Sequence, residues 1–137
     1  MKPRGLRNNN PGNIRRSDTL YVGEKESTDP EFKQFTSMAY GYRAMFMLLY
    51  TYQVRYGLNT LQSMIARYAP ESENNTSNYI RQVSAWSGID PNSRLTTTNR
   101  DTMIPLVSAM SRFENGVPSV PQEVEQGWGL FIADIQK

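Results

Sequence analysis

Glu114 follows Met103, Val107 and Met110 at helical spacing, with Phe113 beside it, so its carboxyl falls on the apolar stripe at the end of a helix. Partial desolvation there raises a carboxyl pKa and keeps the group protonated near neutral pH, as a general acid must be. Asn115-Gly116 stops the helix and leaves the side chain at an opening rather than in a sealed core. The competing arrangement swings the same side chain out into solvent. Glu73 is the second candidate. It lies in Pro70-Glu71-Ser72-Glu73-Asn74-Asn75-Thr76, just ahead of a helix start, where the dipole and free N–H groups favour the charged form. That environment suits a capping or base role.

These carboxylates matter because the 137-residue chain contains no His and no Cys. Ser-His-Asp and Cys-His catalysis and every disulfide are excluded, and the usual nitrogen and sulfur ligands of zinc are missing. No metal and no cofactor are expected. Proton transfer must fall to carboxylates, with Tyr, Ser, Thr, Asn and Arg as helpers. Glycoside cleavage is the common reaction that carboxylates alone can run.

A third group of residues suits a ligand rather than a reaction. Arg7 to Arg16 reads Arg-Asn-Asn-Asn-Pro-Gly-Asn-Ile-Arg-Arg, which is poor helix and poor strand. Asn side chains bond nearby backbone and favour turns, Pro11 fixes φ and Gly12 relaxes it. The product is a rigid loop of amides with Arg4, Arg7, Arg15 and Arg16 around it. Such a surface fits a ligand rich in hydroxyls and amides, such as an amino-sugar polymer, whereas the plain alternative is an ordered turn with a solvated basic rim.

The elements that must position these residues are mostly helices. Ser17 to Glu31 is polar and reads as a short hairpin or ordered loop. Ser37 caps a helix to about Tyr56, stopped by Gly57, with Ala44, Met47, Leu48 and Tyr52 as its apolar stripe and Met45 and Leu49 alongside. Asn59 or Thr60 opens the next helix, which Pro70 ends, and Asn75 or Thr76 opens another, stopped at Gly88. Pro105 is tolerated only in a first turn, so Asp101 or Thr102 is expected to cap the Glu114 helix. Ser119 with Gln122 reads as a capping box for the last helix, which carries Val124, Trp128, Phe131 and Ile135. The expected fold is a single mostly α domain over residues 1–137, with at most a small β-hairpin near the N-terminus.

Composition bounds the partners. At 38% hydrophobic and 11% aromatic the chain can build a real core, and a formal charge of only +2 argues against nucleic acid. The local excess of Lys2, Arg4, Arg7, Arg15 and Arg16 favours an anionic partner. Arg43, Arg55, Arg67 and Arg81 read as solvated helix faces. The longest apolar run, Ala44 to Leu49, is too short to span a bilayer, so stable membrane insertion is not expected. No hydrophobic leader is apparent, so synthesis in a host cytoplasm without a signal peptide is expected.

Three blocks carry a resemblance: Arg7 to Arg15, Phe32 to Tyr42 (FKQFTSMAYGY) and Arg67 to Val83 (RYAPESENNTSNYIRQV). They resemble a phage and prophage family of virion-type proteins related to the lysozyme superfamily, and they are similar to parts of lytic transglycosylases and flagellar-type glucosaminidases. The resemblance implies a lysozyme-like helical domain, peptidoglycan glycan strands as substrate, and other virion proteins as partners. It implies residence in the virion or periplasm after synthesis. From it Tyr79 is carried over as a residue lining the sugar groove. In those relatives the catalytic Glu ends a helix before the Asn-rich loop, within a Glu-Ser-Gly-like motif. Here the comparable motif is Arg112-Phe113-Glu114-Asn115-Gly116, near the other end of the chain. The resemblance therefore implies a circular permutation, with the catalytic helix moved to the C-terminal part yet packed beside the loop.

On this reading Glu114 protonates the glycosidic oxygen and then acts as base, while Asn9, Asn10, Asn13 and Tyr79 bind sugar hydroxyls and acetamido groups. A second carboxylate about 6.5–9.5 Å away would activate water for inversion, and one at about 5–5.5 Å would form a covalent intermediate. Glu73 and the acids of the Asp18 to Glu31 loop are the candidates. With none close, the sugar's own hydroxyl attacks, as in lytic transglycosylases. The alternative function is a non-enzymatic virion structural or glycan-binding protein that keeps the fold.

Overall fold

A computed structural model describes residues 2–72 and 74–136. Among them the chain forms six helices and one small sheet: α1 (Arg4–Arg7), β1 (Glu24–Lys25), β2 (Gln34–Phe35), α2 (Met38–Tyr56), α3 (Leu61–Tyr68), α4 (Thr76–Ser87), α5 (Arg100–Asn115) and α6 (Pro121–Ile135). The two strands pair antiparallel, with Glu24 opposite Phe35 and Lys25 opposite Gln34. The fold is mostly α, and its one hairpin lies near the N-terminus, as expected.

Local chemistry explains most of the helix limits. The Ser37 hydroxyl accepts from the Tyr40 N–H to open α2, and Gly57 closes it at φ 68°. Thr60 and Ser63 form a reciprocal capping box on α3, and Asn75 caps α4 by accepting from the Asn78 N–H. Two starts differ from expectation. Helix α5 begins at Arg100 because the Asn99 side chain accepts from the Asp101 N–H, so Pro105 sits beyond the first turn and forgoes one intrahelical bond. Helix α6 begins at Pro121 behind Val120 with no side-chain cap, so the capping box read at Ser119 does not form. Pro121 in the first turn has no N–H to satisfy, which removes part of the need for a cap.

The core sits between α2 and α6 and extends under α3, α4 and α5. Phe46, Trp128 and Phe131 pack as an aromatic cluster with centroid separations of 5.1 to 5.9 Å. Gly127 allows α6 to approach α2 closely, since a side chain there would collide with Tyr42 and the Ala39 carbonyl. Of the expected stripe of α2, Ala44 and Tyr52 are buried, as are Met45 and Leu49 alongside it, and Tyr42 and Phe46 complete the buried side. Met47 and Leu48 are only half-buried and form part of a groove wall instead. A helix flanked on several sides has no single outward face, and the stripe alone does not select its buried side.

Arg43 is a second correction. Read from sequence as solvated, it is buried, with its guanidinium donating twice to Asp134 on α6 at 3.1 and 2.5 Å. The partner stands 91 residues away, out of reach of any local pattern.

Candidate functional site

The stripe of α5 does what its spacing implies. Met103, Leu106, Val107 and Met110 are buried, and Glu114 continues that face to the helix end, where Gly116 at φ 73° stops it. The carboxyl ends up in the wall of a groove of about 740 Å³. Two neutral donors hold it. Asn13 Nδ2 donates to Oε1 at 2.8 Å, and the Tyr79 hydroxyl donates to Oε2 at 2.8 Å. Burial pushes the Glu114 pKa up, and the bonds from Asn13 and Tyr79 and the charge of Arg15 oppose that rise without cancelling it.

Both donors are fixed from behind. Tyr79, on α4, is fully enclosed and stacks on Phe113 with centroids 4.1 Å apart. Burial and the Glu114 charge raise its pKa well above the usual phenol value, so the hydroxyl stays a donor. Asn13 adopts φ 49°, the left-handed region that Asn tolerates better than most residues. That conformation turns its amide toward α5 across 101 residues of sequence.

The loop carrying Asn13 is bound to its surroundings by the other asparagines. Asn10 Nδ2 donates to the carbonyls of Ile14 and Lys33, and its Oδ1 accepts from the Ile14 N–H. Asn115 Nδ2 donates to the Pro11 carbonyl at 2.8 Å and to that of Ser111 at 2.9 Å, stapling the loop to the end of α5. The Tyr68 hydroxyl donates to the Gly12 carbonyl, and a side chain at Gly12 would strike both that hydroxyl and Met45. The loop and the end of the Glu114 helix are therefore neighbours at one groove.

The residues assigned from sequence thus divide. Glu114 and Asn13 meet in the groove wall. Tyr79 reaches the same carboxyl from behind, so it orients Glu114 and does not present a face to a ligand. Asn10 is a correction: it is fully buried and both ends of its amide are spent on backbone. Asn9 is another, since its Nδ2 donates to the Phe35 carbonyl and it takes no part in the groove lining. Glu73 lies outside the described residues. The basic rim is also less available than its composition implies: Arg4 pairs with Asp29 and Glu31, and Arg15 with Glu31.

Sequence reasoning missed the far wall of the groove, built by Tyr52, Arg55 and Tyr56 of α2 with Arg67 and Tyr68 of α3. The available signal was the spacing of Tyr52, Arg55 and Tyr56, which puts two rings and a cation on one helix turn. It missed Lys33 as well. That ammonium is buried, pairs with Glu24 at 2.9 Å and donates to the carbonyls of Ser17 and Thr19, holding the loop whose Leu20 to Val22 segment forms the groove's lip. Among the described residues no group of His, Cys, Asp and Glu could hold a metal ion. No helix among them is long and apolar enough to cross a membrane.

With this geometry in view, similarity to known proteins becomes informative. No family model matches the chain. Protein P5 of Pseudoalteromonas phage PM2 is 42% identical over 135 residues, which span 93% of this chain and 82% of the phage protein. The chain belongs to the family of that phage protein.

Proposed function

We propose that this P5-family protein cleaves the glycan strands of peptidoglycan, with Glu114 as the general acid. The observation that carries the proposal is the Glu114 carboxyl itself: its pKa raised by burial, held by Asn13 and Tyr79, and lining a groove of about 740 Å³. A protonated carboxyl there gives its proton to the glycosidic oxygen as the bond to the anomeric carbon breaks, and the resulting carboxylate then takes a proton from the attacking hydroxyl. Asn13 and Tyr79 stabilise that carboxylate while it lasts, because both donate to it without carrying charge.

Among the described residues Glu114 is the one carboxylate lining the groove. We take the substrate's own hydroxyl as the nucleophile, giving an anhydro sugar end; a second carboxylate at the groove would instead activate water. The arrangement of Glu114 and the Asn-rich loop also supports a permuted lysozyme-like site, with the acid helix supplied from the C-terminal part of the chain. A phage protein of this kind would meet the wall as part of a virion or during release.

Purified peptidoglycan tests the proposal. The protein should clear a suspension of it and release fragments with anhydro ends, lighter by one water than hydrolysis products. Glu114→Gln should lower the rate on the order of 10²–10⁴-fold, the usual contribution of general acid–base catalysis. Clearing by that variant at the parental rate would rule out the assignment. Binding of glycan with no cleavage by the parent would instead support a non-enzymatic glycan-binding protein.

A further inference from the structure

We propose that Arg55 and Arg67, with Tyr52 and Tyr56, form a subsite of the groove that takes a carboxylate branching from the glycan; the substrate class rests on the reading above. Four arginines line the groove, and they are not equivalent. Arg43 is neutralised by Asp134 and Arg15 is paired with Glu31. Arg55 and Arg67 are exposed, and among the described residues neither is within ion-pair distance of a carboxylate. Among the described residues, then, no carboxylate pairs with the two cations on this side of the groove.

The setting of Arg67 is that of a prepared anion receptor. Its guanidinium carbon lies 3.8 Å from the Tyr56 ring centroid and 5.4 Å from that of Tyr52. Resting on the rings and hydrogen-bonding the Tyr52 hydroxyl fixes the planar cation, and the planar fork of its remaining N–H groups is the kind that matches a carboxylate. Arg55 and Arg67 also occupy the last turns of α2 and α3, where the helix dipole favours cations. The dipole accounts for each residue separately. It does not account for two helix ends bringing their cations, with two tyrosine rings, to the same wall.

A neutral amino-sugar polymer has no use for this wall, whereas a peptidoglycan strand has carboxylates on the lactyl side of each muramoyl residue or on its attached peptide. Near Glu114 an acidic ligand meets a carboxyl that burial keeps toward its neutral form, so repulsion there is reduced.

The test is equilibrium binding in the Glu114→Gln background, which leaves the ligand uncut. Three probes are compared: peptide-bearing glycan strands, peptide-free strands with free lactyl carboxylates, and a neutral N-acetylglucosamine oligomer. Arg55→Gln/Arg67→Gln should weaken binding of the acidic strands about tenfold and leave the neutral oligomer unchanged. Loss with peptide-bearing strands alone assigns the carboxylate to the peptide, and equal loss with both acidic probes assigns it to the lactyl group. Arg55→Lys/Arg67→Lys, which keeps charge but loses the fork, should fall between. Arg81→Gln/Arg94→Gln removes the same charge from exposed positions outside the groove and should change nothing. Thermal unfolding checks that each variant is folded. Equal affinity for all three probes, no binding of any, or an equal loss in the Arg81/Arg94 variant would overturn the subsite. If the parent cleaves peptidoglycan but the groove arginines do not discriminate, only the subsite fails. If the binding pattern holds and nothing is cleaved, only the proposed reaction fails.

Discussion

Two carboxylates bracket the Asn-rich loop, and the loop treats them in opposite ways. Asp29 accepts from Arg4 at 2.7 Å through each of its oxygens, and from Asn8 and the backbone N–H groups of Glu31 and Phe32. Glu114 accepts from Asn13 and Tyr79, both uncharged. The Arg4 guanidinium holds the Asp29 carboxyl far below the usual carboxylate range, while burial lifts that of Glu114. One is a permanent anion that fastens the loop to the strand region. The other has an accessible protonated state and a groove in front of it. Carboxylates are assigned to structure or chemistry by the sign of what surrounds them, and here a single loop supplies an amide to each.

The contrast can be broken from either end. Glu114→Gln should produce the largest effect, the steep loss of wall cleavage already described, with little change in stability. The sign of the stability change depends on pH. Because the folded pKa of Glu114 is raised, its stabilising contribution is complete below the unfolded value and is lost as pH rises through the folded value. The variant lacks that loss, so its Tm should match the parent in acid and equal or exceed it at neutral pH.

Asp29→Asn should do the reverse. Its lowered pKa means that its contribution is present above the unfolded value and disappears as pH falls. The variant should therefore melt several degrees lower near neutral pH, with the difference narrowing in acid. Cleavage should fall only as far as the Asn13 loop loosens, which temperature scans followed by activity assays would separate.

Tyr79→Phe sharpens the comparison with a smaller change. It keeps the ring stacked on Phe113 and removes one donor to the carboxylate. That donor lowers the Glu114 pKa, so its loss should move the alkaline limb of the pH–rate profile upward, by up to about one unit for a bond worth about 1 kcal/mol. A profile that stays in place would separate Tyr79 from the acid.

The two carboxylates also differ in how legible they were. Glu114 could be read from sequence because its position depends on the Met103, Val107 and Met110 stripe of its own helix. The caps at Ser37, Thr60 and Asn75 were legible for the same reason, since each bond spans three residues. Asp29 was not, because Arg4 lies 25 residues away and nothing local marks the pair. Arg43 with Asp134 failed likewise. The Asn-rich loop was recognised as ordered and amide-rich, but which amides face a groove and which hold backbone depends on β2 and α5 arriving from elsewhere. Asn10 and Asn13 differ by three positions and have unrelated roles.

Carboxyl carbon NMR across a pH titration, with the two resonances assigned through Glu114→Gln and Asp29→Asn, measures the contrast directly. The Glu114 resonance should titrate with a midpoint above the ordinary glutamate value of about 4.3. That of Asp29 should remain in its ionised position well below the ordinary aspartate value until the fold is lost. Midpoints near the ordinary values for both residues would contradict the account, because Glu114 would then be an anion wherever the protein is expected to donate a proton.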